Sequence, residues 1–326
     1  MRDSERGAAL LTVLLLVAVI AVIAGTALER LTLTTRLAAN ATAGQAAEGF
    51  ARVAETLALT RIDTLLGQNP SRVTLAGGWS GRPFGLPLPG GGTAVARVTD
   101  GGNCFNLNGL VVASGPGTYV SFPPARLQFA RLMRLIGIAP QTAEQVAAGA
   151  ADWIDTDADQ QANGAEDASY LGLQTPYRTA GTLMADPSEL RAVANVTPEL
   201  YGRLRPWLCA LPRAEPARIN VDTLLPEQAP LLAMQYADTM PVGTARALLL
   251  RRPPQGWATP DAFQLVANQA GASAGFGETG GIAVVTQWFA LHVDVSVPGA
   301  EREERALIDA RRLPAQLVAR QWGEGT

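Results

Sequence analysis

The sequence contains no lysine, and a single histidine, His292, occurs among its 326 residues. All 26 basic residues are therefore arginine, and the 29 acidic residues bring the formal net charge to −3 at pH 7. Nucleic-acid-binding domains carry clustered basic side chains on one face. Because this chain is mildly acidic and has no basic cluster, we predict that it has no nucleic-acid partner.

The same scarcity argues against catalysis. There is no lysine to act as a base, and His292 lies in a β-rich stretch without a nucleophile motif nearby. No glycine-rich phosphate loop follows a predicted strand. The acidic residues are crowded into one loop, whereas a glycosidase holds two carboxyl groups on opposite sides of a cleft. We therefore predict that the chain is not an enzyme.

Cysteine is also rare, since only Cys104 and Cys209 are present. In an oxidising compartment they would form one disulfide that closes a loop of about 100 residues. Two buried free thiols are the alternative. An export signal would favour the disulfide.

One long apolar run, residues 8–24, follows a short charged leader, residues 1–7. At 1.5 Å per residue the run is about 25 Å long, close to the ~30 Å hydrocarbon core of a bilayer. A cleaved secretory signal and a plain signal anchor are two interpretations. The third is a prepilin leader cut after Gly7, which makes Ala8 the new N-terminus.

The stretch that follows favours the prepilin interpretation. Residues 26–66 contain no proline, and Gly67 and Pro70 stand where a helix would end. Apolar side chains recur there at helical spacing, at Phe50, Val53, Leu57, Ile62, Leu65 and Leu66. A long helix that is apolar in its first half and amphipathic in its second has the shape of a pilin stem. A signal anchor followed by an unrelated helix remains the alternative.

The rest of the chain alternates between strand and helix signals. Residues 93–99 alternate in polarity, and the Asp100–Gly102 turn predicts a hairpin whose return strand starts at Asn103. Short helices are predicted between residues 123 and 275, and strands return in residues 276–326. This pattern predicts an α+β fold with a helical block inserted into a sheet.

Four capping signals mark the predicted helices. Asp186, Thr197 and Thr259 each precede a proline that begins a helix, and an acid follows in the first turn. Thr142 with Gln145 resembles a capping box for a helix that runs towards Ile154.

The most informative chemistry is an acidic loop, residues 152–167, which holds six carboxylates. Like charges at this density need water or a cation. Asp155, Asp157 and Asp159 occupy positions 1, 3 and 5 of a loop whose twelfth position is Glu166, as in a calcium loop.

The loop departs from that pattern at position 6, which is Gln160 and not glycine. The ligand set can therefore differ from that of an EF-hand, and Asp167 or Asp152 are further candidate ligands. Oxygen ligands favour calcium over zinc or copper. A solvated acidic loop without metal is the alternative.

Four segments together resemble general secretion pathway protein K (GspK), a family of minor pseudopilins of the type II secretion system. They are the Gly7–Ala8 junction, Phe105–Leu110, the acidic loop with its extension to Tyr170, and Ile219–Thr223. The resemblance spans nearly the whole chain. It implies a pilin-like fold, in which a long N-terminal helix packs on an antiparallel sheet, with a large inserted α-helical domain that binds calcium.

The resemblance also implies processing and partners. It implies cleavage after Gly7 by the prepilin peptidase and methylation of the Ala8 amine. A single pass through the inner membrane would leave the C-terminal domain in the periplasm. The implied partners are the minor pseudopilins I and J. Most pilin-like subunits have Glu at the fifth mature position, and Thr12 at that place suits a subunit at the filament tip.

These inferences define five segments: leader 1–7, membrane and assembly half of the helix 8–24, amphipathic helix with first strands 25–122, helical insertion 123–275, and last strands 276–326. The predicted function is to cap the tip of the type II secretion pseudopilus and to help initiate its assembly, so that proteins are exported across the outer membrane. The alternative is a singly anchored periplasmic module, stabilised by calcium, that binds exported substrates.

Overall fold

A computed structural model describes residues 2–273 and 281–323 of the chain. Its first element is one unbroken helix, α1 (Arg2–Gln68), whose length is about 100 Å at 1.5 Å per residue. Side chains from residue 10 to residue 42 are exposed. The most apolar window of α1 has a mean hydropathy of 2.8 and no buried residue, so the helix is long and apolar enough to cross a bilayer.

The described residues after α1 form seven further α-helices and eleven strands. The helices are α2 (Pro123–Leu135), α3 (Pro140–Ile154), α4 (Asp167–Leu171), α5 (Pro198–Leu204), α6 (Ala229–Ala233), α7 (Val242–Leu250) and α8 (Pro260–Gln269). The strands are β1 (Phe84–Leu88), β2 (Gly92–Asp100), β3 (Phe105–Asn106), β4 (Val111–Gly115), β5 (Thr118–Ser121), β6 (Leu208–Cys209), β7 (Ile219–Asn220), β8 (Ile282–Ala283), β9 (Trp288–Val297), β10 (Ala300–Asp309) and β11 (Gln316–Trp322).

The second half of α1 packs on an antiparallel sheet with the strand order β1-β2-β9-β10-β11. Its buried face consists of small and aliphatic side chains at helical spacing, Ala47, Ala51, Ala54, Ala58, Ile62 and Leu66. On β9, Leu291, Val293 and Val295 are buried in the same core, as the alternation in the sequence predicts. The small alanine side chains allow the helix to approach the sheet closely.

The helices form a separate core, which is inserted between β2 and β9. The fold is therefore α+β and pilin-like, with a large helical insertion, as predicted. The insertion also contains three two-stranded ladders, in which β3 pairs with β6, β4 with β5, and β7 with β8.

The predicted hairpin at Asp100–Gly102 is wrong. Strand β2 pairs with β1 on one side and with β9 on the other, so it has no free side for a return strand. The chain leaves the sheet after Gly101, whose N–H donates to the Trp288 carbonyl at 2.8 Å. The side chain of Asn108 explains why the segment after Gly102 does not run back along β2. Its side-chain amide donates to the carbonyls of Met184 and Leu211, which belong to the helical insertion.

The segment boundaries change accordingly. Residues from Phe105 to Val111 are buried in the core of the helical insertion, so the insertion begins well before the predicted boundary at residues 122 and 123. The predicted boundary at residues 275 and 276 lies outside the described residues.

Three of the four predicted helix caps are present. The Asp186 carboxylate accepts from the Ser188 N–H, the Thr197 hydroxyl from the Leu200 N–H, and the Thr259 hydroxyl from the Ala262 N–H. The capping box at Thr142 is wrong, because α3 already begins at Pro140 and its N-cap residue is Ala139. The fixed φ angle of proline suits the first helical position.

A buried polar network joins the helical insertion to the sheet. Asp100, at the end of β2, accepts hydrogen bonds from the hydroxyls of Thr223 and Thr286. Asn220 donates from its side chain to Thr286 and from its backbone to Asn103. Since buried polar groups are costly when unpaired, this network favours one relative placement of the two cores.

An acidic pair lies between α1 and the sheet. Glu304 on β10 is fully buried and lies beside Glu55 on α1, while Arg320 on β11 donates two hydrogen bonds to the Glu55 carboxylate. Burial, together with the neighbouring Glu55 carboxylate, raises the pKa of Glu304 to about 8. The raised pKa of Glu304 favours its protonated form in the folded protein, although Arg320 Nε lies 3.4 Å from its carboxylate.

We expect Glu304→Gln to remove part of the pH dependence of folding. The pKa of Glu304 is higher in the folded than in the unfolded state, so its contribution to stability is full below about pH 4.5 and is lost as pH rises to about 8. At pH 8 the variant should be more stable than the wild type, by up to roughly 4 kcal/mol, because the amide needs no proton.

Urea unfolding of the full-length chain in detergent micelles at pH 5, 6, 7 and 8, with calcium present, measures the difference. Glu301→Gln is the matched control, because Glu301 is an exposed acid on the same strand. A constant difference between Glu304→Gln and the wild type across this range would contradict the prediction.

Candidate metal centre

The acidic loop connects α3 to α4. Helix α3 ends at Ile154, and Asp155 caps its C-terminus, with its N–H donating to the Ala151 carbonyl at 2.9 Å. Glu166 is the N-cap residue of α4. The two helix ends therefore bring Asp155 and Glu166 close together, although eleven positions separate them in the sequence.

Three carboxylates of this loop converge. Asp155, Asp157 and Glu166 each offer one oxygen, and these oxygens lie within 4.8 Å of one another. Asp155 is 1% exposed and Glu166 is 7% exposed. Both carboxylate oxygens of Asp155 and one of Glu166 are buried without a hydrogen-bond partner. Buried carboxylates without donors need a proton or a cation.

The pKa values of these side chains are raised, because their negative charges are buried close to one another. Burial raises the pKa of Asp155 to about 7, with further contributions from Asp157 and Asp152. Burial and the Asp152 charge raise the pKa of Glu166 to about 7. Asp152 is also raised by burial, to about 6, although it accepts from the Gln161 N–H. A bound divalent cation would allow all of these groups to ionise at neutral pH.

The structure corrects the predicted ligand set in two places. Asp159 is exposed and lies outside the group; its N–H donates to the Asp157 carboxylate. Asp167 also lies outside it, because its carboxylate pairs with Arg178 and accepts from the N–H and hydroxyl of Thr179. These bonds lower the pKa of Asp167 below its usual value, and the Thr179 N–H makes the largest contribution.

The glycine of the loop has a different role from that in an EF-hand. A Cβ atom on Gly164 would lie 2.0 Å from an oxygen of Asp152, so the close approach of the chain to this buried carboxylate requires glycine. The positive charge of Arg126, on α2, partly offsets the effect of burial on the pKa of Asp152 and Asp155, and both pKa values stay raised. The sequence pattern did not identify this arginine, because it lies well outside the loop in the sequence.

An aromatic cluster packs next to the carboxylates. The ring of Trp153 lies 5.5 Å from that of Tyr170, and Tyr177 lies 5.1 Å from Tyr170. Trp153 precedes Asp155 by two positions, so its fluorescence is a natural reporter of changes in the loop.

The other predicted functional residues lie in two places. Gly7 and Ala8 lie within α1, where only the backbone is described, and Thr12 lies on its exposed part. Cys104 and Cys209 form a disulfide with a Cα–Cα distance of 5.8 Å; Cys209 lies on β6 and Cys104 directly precedes β3. The interpretation as two free thiols is therefore excluded.

A protruding apolar helix, a sheet packed on its second half and a helical head define a pilin-like subunit. Two sequence models described as type II secretion system protein K match residues 103–213 and 219–284. Type II secretion system protein K of Pectobacterium carotovorum subsp. carotovorum is 34% identical over 324 residues, covering 99% of this chain and 98% of the relative. That of Aeromonas hydrophila is 37% identical over 259 residues, covering 78% and 77%.

The solved structures agree. The chain is similar to one in the GspK-GspI-GspJ complex from the enterotoxigenic Escherichia coli type 2 secretion system, with 31% identity and a TM-score of 0.74. The match covers 86% of this chain and 97% of the other. The chain belongs to the type II secretion system protein K family. Its relatives are named as components of a secretion system, and its one apolar N-terminal helix is compatible with a single-pass anchor.

Proposed function

We propose that this chain caps the tip of a type II secretion pseudopilus and helps to initiate its assembly, with minor pseudopilins I and J as partners. The observation that carries the proposal is the exposed first half of α1, which continues without a break into the half that packs on the head. The apolar side chains of such a helix can contact either lipid or the helices of neighbouring subunits. Because lipid is as apolar as a neighbouring helix, close packing must drive assembly.

The shape of the head supports the tip position. The helical insertion adds a second core to the pilin-like sheet, and it makes the head much bulkier than the stem. Thr12 supports it as well, because this side chain brings no carboxylate into the apolar half of α1 that a preceding subunit would have to pair. The function is structural, and no catalytic step is part of it.

Calcium is the cofactor that we propose for the head. Asp155, Asp157 and Glu166 would hold it, and the orphaned buried oxygens of Asp155 and Glu166 fit this role. Their all-oxygen set matches the preference of calcium. The cation would neutralise the loop and stabilise the junction of α3 and α4.

Cleavage after Gly7 distinguishes a subunit that assembles into a filament from a protein that is only anchored in the membrane. We expect the chain, purified from cells that express a prepilin peptidase, to begin at Ala8 with a methylated amine. Mass spectrometry of the N-terminal peptide measures this, and Gly7→Leu should leave Met1 in place. A wild-type chain that retains Met1 would point to the singly anchored binding module, and a start near Leu28 would show that α1 is discarded.

Co-purification tests the partners. The mature chain should elute with minor pseudopilins I and J of the same system when the three are expressed together and extracted in mild detergent. Elution of the chain by itself under conditions where I and J remain associated would oppose a shared tip complex.

A further inference from the structure

A cavity of about 320 Å³ lies between the last turns of α1 and the segment that leads into β1. Its walls are mostly apolar, and they include Ile62 and Leu65 of α1, Trp79, and Phe84 at the start of β1. Trp79 is held in place by the hydrogen bond from its indole N–H to the Thr74 carbonyl at 2.7 Å. The cavity is therefore a formed pocket of the size that takes one or two apolar side chains.

Two arginines line the same pocket. The guanidinium of Arg61 lies over the Phe84 ring, 4.1 Å from its centroid, and Arg82 is exposed beside it. Neither has a carboxylate partner within ion-pairing distance in residues 2–273 and 281–323. Arginines on the strands of the sheet are paired instead, for example Arg97 with Asp294 and Arg305 with Glu303. The pocket thus carries two positive charges without an ion-pair partner in the described residues.

The pocket opens onto a sheet edge. Strand β1 has β2 on one side, and no strand of the described residues pairs with its other side. Such an edge presents unpaired backbone acceptors and donors, except at Pro87, which has no N–H. Phe84, Leu86 and Leu88 project from β1 towards the core but stay half-buried, so an apolar strip continues from the pocket along the edge.

We propose that the pocket and the β1 edge form a docking site for an extended acidic segment of a partner protein. The segment pairs with the edge through its backbone and places an apolar side chain in the pocket. Its carboxylates bind Arg61 and Arg82, and the two unpaired charges select an acidic over a basic segment. This site lies on the half of α1 that carries the head, so it is separate from the exposed half that we assign to filament assembly.

A labelled peptide tests the site. The probe is a fluorescein-labelled hexapeptide, Glu-Thr-Phe-Thr-Glu-Thr, whose two glutamates and phenylalanine share one face of the extended chain, and its counterpart has lysine in place of glutamate. Fluorescence anisotropy with the full-length chain in detergent micelles measures binding. We expect the glutamate peptide to bind and the lysine peptide to bind at least about tenfold more weakly.

Substitutions of Arg61 and Arg82 test whether these two side chains bind the peptide. Arg61→Gln with Arg82→Gln should weaken the glutamate peptide at least about tenfold, since two charge-assisted contacts are lost. Arg246→Gln with Arg251→Gln is the matched control, because it removes two exposed positive charges from α7 and its end. A glutamate peptide with methylated backbone nitrogens should lose binding if the segment pairs with the edge.

Several results would overturn the proposal: no binding of the glutamate peptide, equal binding of the lysine peptide, full binding of the methylated peptide, or equal effects of the two arginine pairs. The variants alter exposed side chains, and unchanged melting temperatures would show that they fold. The N-terminal mass of the chain reports on filament processing independently, so a failed docking site leaves that proposal unaffected.

Discussion

Chelation of calcium is expected to lower the melting temperature of the full-length chain by roughly 5–10 °C. The reference is the same chain in calcium at about a hundred times its dissociation constant. Such an excess contributes about 2.7 kcal/mol to the folded state, provided that the unfolded chain does not bind the ion. The physical reason is the group of Asp155, Asp157 and Glu166, in which both oxygens of Asp155 and one of Glu166 are buried without a hydrogen-bond partner among the described residues.

Asp155→Ala with Asp157→Ala should bring the melting temperature in calcium down to that of the chelated wild type. Asp159→Ala is the matched control, since Asp159 belongs to the same loop but is exposed and outside the converging group. Differential scanning fluorimetry with calcium or with chelator gives both values, and Trp153 fluorescence follows the loop. Identical melting curves with and without calcium for the wild type would contradict the proposed calcium site.

The calcium effect should also depend on pH. Burial raises the pKa of Asp155 and of Glu166 to about 7, so protons compete with the cation below that pH. The calcium-induced shift in melting temperature is therefore expected to shrink between pH 7 and pH 5. A shift of constant size over this range would mean that other groups bind the ion.

Loss of the disulfide is expected to have the larger effect. Cys104 and Cys209 are 105 positions apart, and a loop of this length corresponds to about 4–5 kcal/mol of loop-closure entropy in the unfolded chain. The closed loop contains α2 to α5 together with the candidate metal centre. Its release therefore removes a constraint from most of the first half of the helical insertion.

Cys104→Ala with Cys209→Ala should lower the free energy of unfolding by about that amount, as measured by urea unfolding in detergent micelles. The wild type in dithiothreitol should match the double variant, and dithiothreitol should leave the double variant itself unchanged. A loss below about 1 kcal/mol would show that the β3–β6 ladder and the Asn108 bonds already hold this junction in the reduced chain.

The features that the sequence predicted well are those that depend on neighbouring residues. The absence of proline across α1 and its apolar spacing were sufficient for one long helix. Asp186, Thr197 and Thr259 cap their helices because a cap is a contact over two or three positions. The clustering of Asp155, Asp157 and Glu166 also followed from spacing within one loop.

The errors occur where distant segments compete for the same residues. The Asp100–Gly102 turn has the local signature of a hairpin, yet β2 pairs with β9, whose Asp294 forms an ion pair with Arg97 across 197 positions. Asp167 resembles a calcium ligand in the loop, but Arg178 and Thr179, brought there by the turn after α4, occupy its oxygens.

Composition, periodicity and short-range spacing by themselves determined that this chain has an apolar leading helix, a sheet with a helical insertion and an acidic loop suited to a hard cation. Tertiary structure decided where the insertion begins, which carboxylates converge, that burial beside Glu55 raises the pKa of Glu304, and that two arginines near the β1 edge have no ion-pair partner in the described chain. The physical reason is that backbone propensity acts over a few residues, whereas charge pairing and burial depend on which distant surfaces meet.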